Sequence, residues 1–266
     1  MLDLKRWLNR MWPCMALAAT LVMHGAGAQE GPTVAAASDL KFALNEIAAS
    51  FRKQTGKSLR ITYGSSGNFF RQIAQDAPFE LFMSADEDFI FKLADQKLTV
   101  DRGALYATGR IVLFVPKGSP VQADAQFADL RRALSDKRLV RFAIANPEHA
   151  PYGRAAMEAL KSTGLWSALE PHLVLGENVS QAAQFAVSGS TQGGIFAYSL
   201  ALSPAISNAG TYALVPENLH QPLRQRMVLT RKAGDSAREL YGYLQQPAAR
   251  VVLKRYGFVL PGESAQ

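Results

Sequence analysis

The stretch Thr33-Val34-Ala35-Ala36-Ala37-Ser38-Asp39-Leu40 passes from a short apolar run into an amphipathic pattern. Thr33 to Ala37 reads as a buried strand, and Ser38 and Asp39 are residue types that cap helix N-termini. Leu40, Leu44, Ile47 and Phe51 then recur at spacings of four, three and four, which is one face of a helix. Gly56 closes that helix as a C-terminal stop.

The same alternation continues outward. Leu59 to Tyr63 reads as a strand, Gly64-Ser65-Ser66-Gly67-Asn68 as a turn, and the next helix places Phe70 and Ile73 inward. Leu81 to Ser84 is a strand and Asp86 to Gln96 a helix. Further strands are read at Arg110 to Val115, Val140 to Ala145, Leu173 to Leu175, Gly194 to Leu200, Tyr212 to Val215 and Met227 to Thr230. Helices are read at Phe127 to Leu134, Gly153 to Ser162, Ser180 to Val187, Ser236 to Leu244 and Pro247 to Tyr256. Strands alternating with helices predict an α/β fold of mostly parallel sheets covered on both faces. Such sheets bind ligands beyond the carboxyl ends of their strands. That singles out three loops: Ser38-Asp39, Gly64 to Asn68, and Asn146 to Gly153.

Composition limits what those loops can do. The chain has 266 residues, 29 basic and 22 acidic, for a formal charge of +7. The basic charges form no block of the kind that marks a nucleic-acid arm. The excess is read either as a soluble basic surface or as weak steering of an anion. Lys5, Arg6 and Arg10, the apolar run Met11 to Met23 and the small residues Ala26-Gly27-Ala28 read as a secretory signal, residues 1–28, cut after Ala28. Its removal takes Asp3 and three basic residues, so the charge becomes +7 − 2 = +5. Cys14, the sole cysteine, goes with it, which excludes a disulfide frame, a cysteine nucleophile and cysteine metal sites. The expected location is the periplasm.

Each singled-out loop joins a strand to a helix start, where unpaired N–H groups and the positive dipole end favour an anion. Serine hydroxyls add neutral donors, and Gly64 and Gly67 let backbone approach closely. Such a site suits an oxyanion that only accepts hydrogen bonds. The other candidates are weaker. His149 has no second histidine at metal-ligand spacing and is read as a loop residue. Asp86 and Glu87 are read as the start of a helix and Trp166 as packing. Ser65-Ser66 and Ser190-Thr191 lack a Gly-x-Ser-x-Gly elbow and a His-Asp partner set, so a secreted hydrolase is the minor alternative.

Ala35-Ala36-Ala37-Ser38-Asp39-Leu40, Tyr63-Gly64-Ser65-Ser66-Gly67 and Leu81-Phe82-Met83-Ser84-Ala85-Asp86 together resemble the periplasmic molybdate-binding proteins of ABC-type importers. Asn146-Pro147-Glu148-His149-Ala150-Pro151-Tyr152-Gly153, Gly176-Glu177-Asn178-Val179 and the tail Pro247 to Phe258 extend the resemblance over nearly the whole mature chain. The resemblance implies a type II two-lobed binding-protein fold with two hinge crossovers, near Thr108 to Ile111 and near Leu223 to Met227. Lobe one is then 29–110 plus 223–266, and lobe two is 111–222. It implies a non-enzymatic monomer with no cofactor and no metal-cation site. The implied ligand is molybdate or tungstate, and the implied partner is a membrane permease.

By the same resemblance the oxyanion contacts are Ser38, Asp39 through its amide, Ser66, Tyr152 and Val179, with Ala197 or Tyr198 as a fifth. The Asp39 carboxylate would repel a dianion if it pointed inward, so it is expected to cap the Leu40 helix or face solvent. Pointing inward, it would favour hydrogen phosphate, and sulfate or phosphate on the same scaffold is the alternative ligand. A sensory domain with similar lobes is less compatible with a secretory signal.

Overall fold

The computed structural model describes residues 30–263. The secretory segment and its cut after Ala28 lie outside the described residues. The elements run β1 Glu30–Ala37, a 3-10 turn Ser38–Leu40, α1 Lys41–Thr55, β2 Ser58–Gly64, α2 Ser66–Ala74, β3 Leu81–Ser84, α3 Glu87–Asp95 and β4 Ala104–Gly109. They continue with β5 Ile111–Pro116, α4 Ala128–Ser135, β6 Phe142–Ala145, α5 Pro151–Ser162, α6 Trp166–Leu169, β7 Leu173–Gly176, α7 Val179–Val187 and β8 Gly194–Ala197. The last are α8 Tyr198–Ala201, α9 Pro204–Ser207, β9 Gly210–Leu214, β10 Leu223–Leu229, α10 Asp235–Leu244 and α11 Pro247–Arg255.

The strands form two five-stranded sheets, ordered β2-β1-β3-β10-β4 and β7-β6-β8-β5-β9. The expected α/β architecture is present, but each sheet is mixed rather than mostly parallel. In the first, β1 runs parallel to β2 and β3, whereas β10 is antiparallel to β3 and β4. In the second, β6 is parallel to β7 and β8, and β5 is antiparallel to β8 and β9. The antiparallel pairings come from the strands that follow each passage of the chain between sheets.

Strand alternation explains the cores. Val34 and Ala36 of β1 face a core shared with Leu44, Ile47 and Phe51 of α1 and with the terminal helices. Ala35 faces the opposite core, with Phe69 and Ile73 of α2 and Ile90 and Leu93 of α3. A strand buried on both faces has no polar side, which is why Thr33 to Ala37 reads as continuous apolar sequence. The second sheet carries its own core around Phe114, Phe127, Phe142 and Phe196. Trp166 packs against that core, as expected. Gly56 ends α1 in the left-handed region, φ 76°, which a glycine adopts without strain.

Several expectations are corrected. Ser38 and Asp39 do not cap α1 with their side chains: they form a buried 3-10 turn, and α1 starts only at Lys41. Phe69, not Phe70, joins Ile73 inward, because a spacing of four keeps one helix face; Phe70 lies half-buried against Phe89. The strand expected over Gly194 to Leu200 ends at Ala197, and Tyr198 begins a helical turn. Leu223 to Met227 is no crossover, since β10 already pairs with β4 from Leu223. The second passage between sheets is residues 215–222, and the first is Arg110 alone, between β4 and β5. Arg110 Nε lies 3.1 Å from Glu217 Oε1, tying the two passages together.

Candidate functional site

Four segment starts converge where the two sheets face each other. They are the 3-10 turn after β1, α2 after β2, α5 after the 146–150 loop, and α7 after β7. Ala37, Ser38, Asp39, Ser65, Ser66, Ala85, Ala150, Tyr152 and Val179 line a pocket with about 180 Å3 of empty volume. Ser66 and Val179 are the first residues of α2 and α7, and Pro151 opens α5. The amides of a first helical turn have no intrahelical acceptor, so three helices offer donors here. No lysine or arginine is among the lining residues.

The serines are held in place. Ser66 Oγ accepts from the Ala85 amide at 2.9 Å, which leaves its own proton for the pocket. Ser38 Oγ donates to Asn178 Oδ1 at 3.0 Å and accepts from the Ser180 amide at 3.2 Å, while Ser180 Oγ donates to the Ser38 carbonyl at 2.9 Å. Ser65 Oγ meets His149 Nδ1 at 3.0 Å, and the Gly67 amide donates to the His149 carbonyl at 2.9 Å. His149 lies in the 147–149 turn, as read from the sequence, and is a nearly buried link between the two loops. Asn68 reaches Glu177 and Arg154 pairs with Asp86 across the cleft, and His149 also reaches Glu177.

Asp39 departs from expectation. It neither caps α1 nor faces solvent: it is 1 % exposed and lines the pocket. Its Oδ2 accepts from Gln225 Nε2 at 2.7 Å and from Tyr152 Oη at 2.9 Å. Gln225 Nε2 also donates to Tyr152 Oη at 2.8 Å, and Tyr106 Oη donates to Gln225 Oε1 at 2.6 Å. Burial pushes the Asp39 carboxyl up to about 6 against the lowering pull of Gln225, Tyr152 and the nearby amides of Asp39 and Leu40. Burial, reinforced by the Asp39 charge, holds the hydroxyls of Tyr106 and Tyr152 well above their usual range.

Ser38, Asp39, Ser66, Tyr152 and Val179 thus meet in one pocket, whereas Ala197 and Tyr198 lie outside it. Ala197 is paired with Ile111 inside the second sheet. Tyr198 donates its amide to the Arg110 carbonyl and packs on Tyr212 and Gly257, on the hinge side. Gln225, Tyr106, Asn178 and Ser180 were not singled out from sequence. Asn178 carries a readable signal: its Oδ1 caps α7 through the Gln181 amide at 3.1 Å. Gln225 carries none, since it sits between two arginines and looks exposed, yet it is fully buried beside a register shift in β10.

Two α/β sheets joined by two passages, with helix starts gathered around a small pocket between them, define a two-lobed solute-binding protein. A family model described as bacterial extracellular solute-binding protein matches residues 32–259, and the chain belongs to that family. The family consists of binding proteins rather than enzymes. The chain is 36% identical to the molybdate-binding protein ModA of Rhodobacter capsulatus over 92% of this chain and 95% of that one. It is 32% identical to the Escherichia coli (strain K12) protein of the same name, over 96% and 99%. Among solved structures, the periplasmic molybdate-binding protein of Azotobacter vinelandii superposes with a TM-score of 0.79 at 30% identity, covering 86% of this chain and 99% of that one. A sulfate-binding protein of Mycobacterium tuberculosis, at 14% identity and TM-score 0.70, shares the fold.

Proposed function

We propose that this protein captures molybdate or tungstate in the pocket between its sheets and delivers it to the membrane permease of an ABC-type importer. The observation that carries this reading is the pocket lining: serine hydroxyls and helix-start amides, without a lysine or arginine. A fully deprotonated tetrahedral oxyanion accepts hydrogen bonds at every oxygen and needs donors spread around it, not one cation. The names of the similar proteins point to the same ligand.

In this reading Ser38, Ser66, Tyr152 and Val179 supply donors, Ser66 through both amide and hydroxyl, and Asp39 through its amide. Lobe one is 29–110 with the tail from 223, and lobe two is 111–222. Arg110 and residues 215–222 serve as hinges. The protein works as a periplasmic monomer after the signal segment is removed. The anion stabilises the closed arrangement by bonding to both lobes, and closure presents the surface that the permease reads.

Thermal unfolding with molybdate, tungstate, sulfate and phosphate tests this. A ligand at about 100 times its Kd adds about 2.7 kcal/mol, which raises Tm by about 5–10 °C for a chain of this size. Molybdate and tungstate are expected to reach that shift at micromolar concentration, with sulfate far behind, while phosphate, whose hydrogen the inward Asp39 carboxylate can accept, tests the alternative ligand. An equal shift from all four would show that the donors do not select by oxygen spacing, and no shift would remove the oxyanion reading.

A further inference from the structure

One buried oxygen of the cleft has no partner. Asp39 Oδ2 is committed to the donors Gln225 Nε2 and Tyr152 Oη, while Oδ1 is buried without a hydrogen bond, and Asp39 lines the pocket together with Ser38 and Ser66. The donor side of Gln225 is fixed toward Asp39 because Tyr106 donates to its carbonyl oxygen. With Oδ2 accepting two hydrogen bonds and Oδ1 none, Oδ1 is the favoured oxygen for a proton on this carboxyl.

The groups around Asp39 offer no compensating charge. Tyr152 from α5 and Tyr106 from β4 face it as neutral hydroxyls. Of the elements packed on the turn, α7 has no titratable side chain, α8 has only Tyr198, which packs on Tyr212, and α1 opens with Lys41, outside the pocket lining. His149 stands across the pocket, engaged with Ser65 and Glu177. An ionised Asp39 would set a bare negative oxygen against a dianion.

We propose that the anion complex holds one proton between Asp39 Oδ1 and an oxygen of the bound anion, which makes Asp39 a specificity-determining residue that couples capture to proton uptake. This rests on the oxyanion reading above. A fully deprotonated anion draws the proton from solvent: carboxylate, proton and dianion become a carboxylic acid that donates to the dianion, with no other bond made or broken. An anion that carries a hydrogen brings the proton itself and meets the ionised carboxylate. Burial supports this chemistry by already holding the free carboxyl at about 6, so protonation near neutral pH is accessible.

The test is titration calorimetry of the wild-type protein with molybdate in buffers of different ionisation enthalpy, at about pH 5 and about pH 8. The expected result is uptake of about one proton per anion at the higher pH and almost none at the lower. Apparent Kd should weaken about tenfold per pH unit above neutrality. Asp39→Asn should bind with little pH dependence and no uptake, while His149→Gln should keep the uptake. Tight molybdate binding without proton uptake in the wild type would overturn the role of Asp39 alone. Failure of molybdate, tungstate and sulfate to bind at either pH would overturn the oxyanion reading and this inference together.

Discussion

Ser66 has two roles in one hydroxyl. It accepts the Ala85 amide and keeps a proton for the pocket. Ser66→Ala is therefore expected to cost affinity and stability separately. A lost anion hydrogen bond weakens molybdate binding by about 10- to 100-fold in calorimetry, and the unpaired buried Ala85 amide lowers unfolding free energy by about 1–3 kcal/mol. Asp39 gives a pH dependence of known sign. Its carboxyl is raised from 3.8 to about 6, so between those values the native state holds more protons than the unfolded chain. Its stabilising effect is complete below about pH 4 and is lost as pH rises through about 6, by about 3 kcal/mol in the ligand-free protein. Denaturant unfolding of wild type and Asp39→Asn across that window should show the difference, and parallel curves would contradict it. The loops that carry Ser38, Ser66 and Tyr152 were legible because strand-to-helix turns follow turn chemistry in the sequence, whereas Val179 was named only through the resemblance to molybdate-binding proteins. The direction of the Asp39 side chain was not, because Gln225, Tyr106 and Tyr152, which hold it, come from distant segments.

At the scale of elements, the loops across the cleft must touch, and Gly67 permits it. A Cβ there would stand 2.6 Å from the His149 carbonyl oxygen, a backbone atom that cannot swing aside. Gly67→Ala is expected to hold the α2 and 146–150 segments apart and weaken anion binding at least about tenfold by calorimetry, with the separate sheets still folded by circular dichroism. Unchanged affinity would show that the Gly67–His149 contact is dispensable. Elements buried on both faces, such as β1 and β3, were readable as apolar runs. β4 was missed because Ala104 to Gly109 mixes small and polar residues. β10 was shortened because Arg224 and Arg226, which pair with Glu87, conceal a strand that Leu223 and Gln225 bury. The alternation of strands and helices could not show that β5 and β10 run against their neighbours, since pairing direction depends on where the chain changes sheet.

For the molecule as a whole, the proposed closure would rest on several weak contacts and one pocket. Arg154 and Asp86 pair across the cleft, with Arg154 41% exposed. Such a pair contributes only about 0–1 kcal/mol, so Arg154→Ala should change Kd less than about fivefold. A larger loss would mean that closure depends on the rim and not on the anion. In the proposed function, neutral donors from both lobes hold one tetrahedral oxyanion. The most direct measurement is calorimetric titration of the protein with molybdate, tungstate, sulfate and phosphate at neutral pH, repeated with Ser66→Ala. The expected result is one site per chain, tight binding of molybdate and tungstate, much weaker sulfate, and a loss of affinity in the variant. Silence toward molybdate and tungstate, or equal binding by wild type and Ser66→Ala, would contradict it.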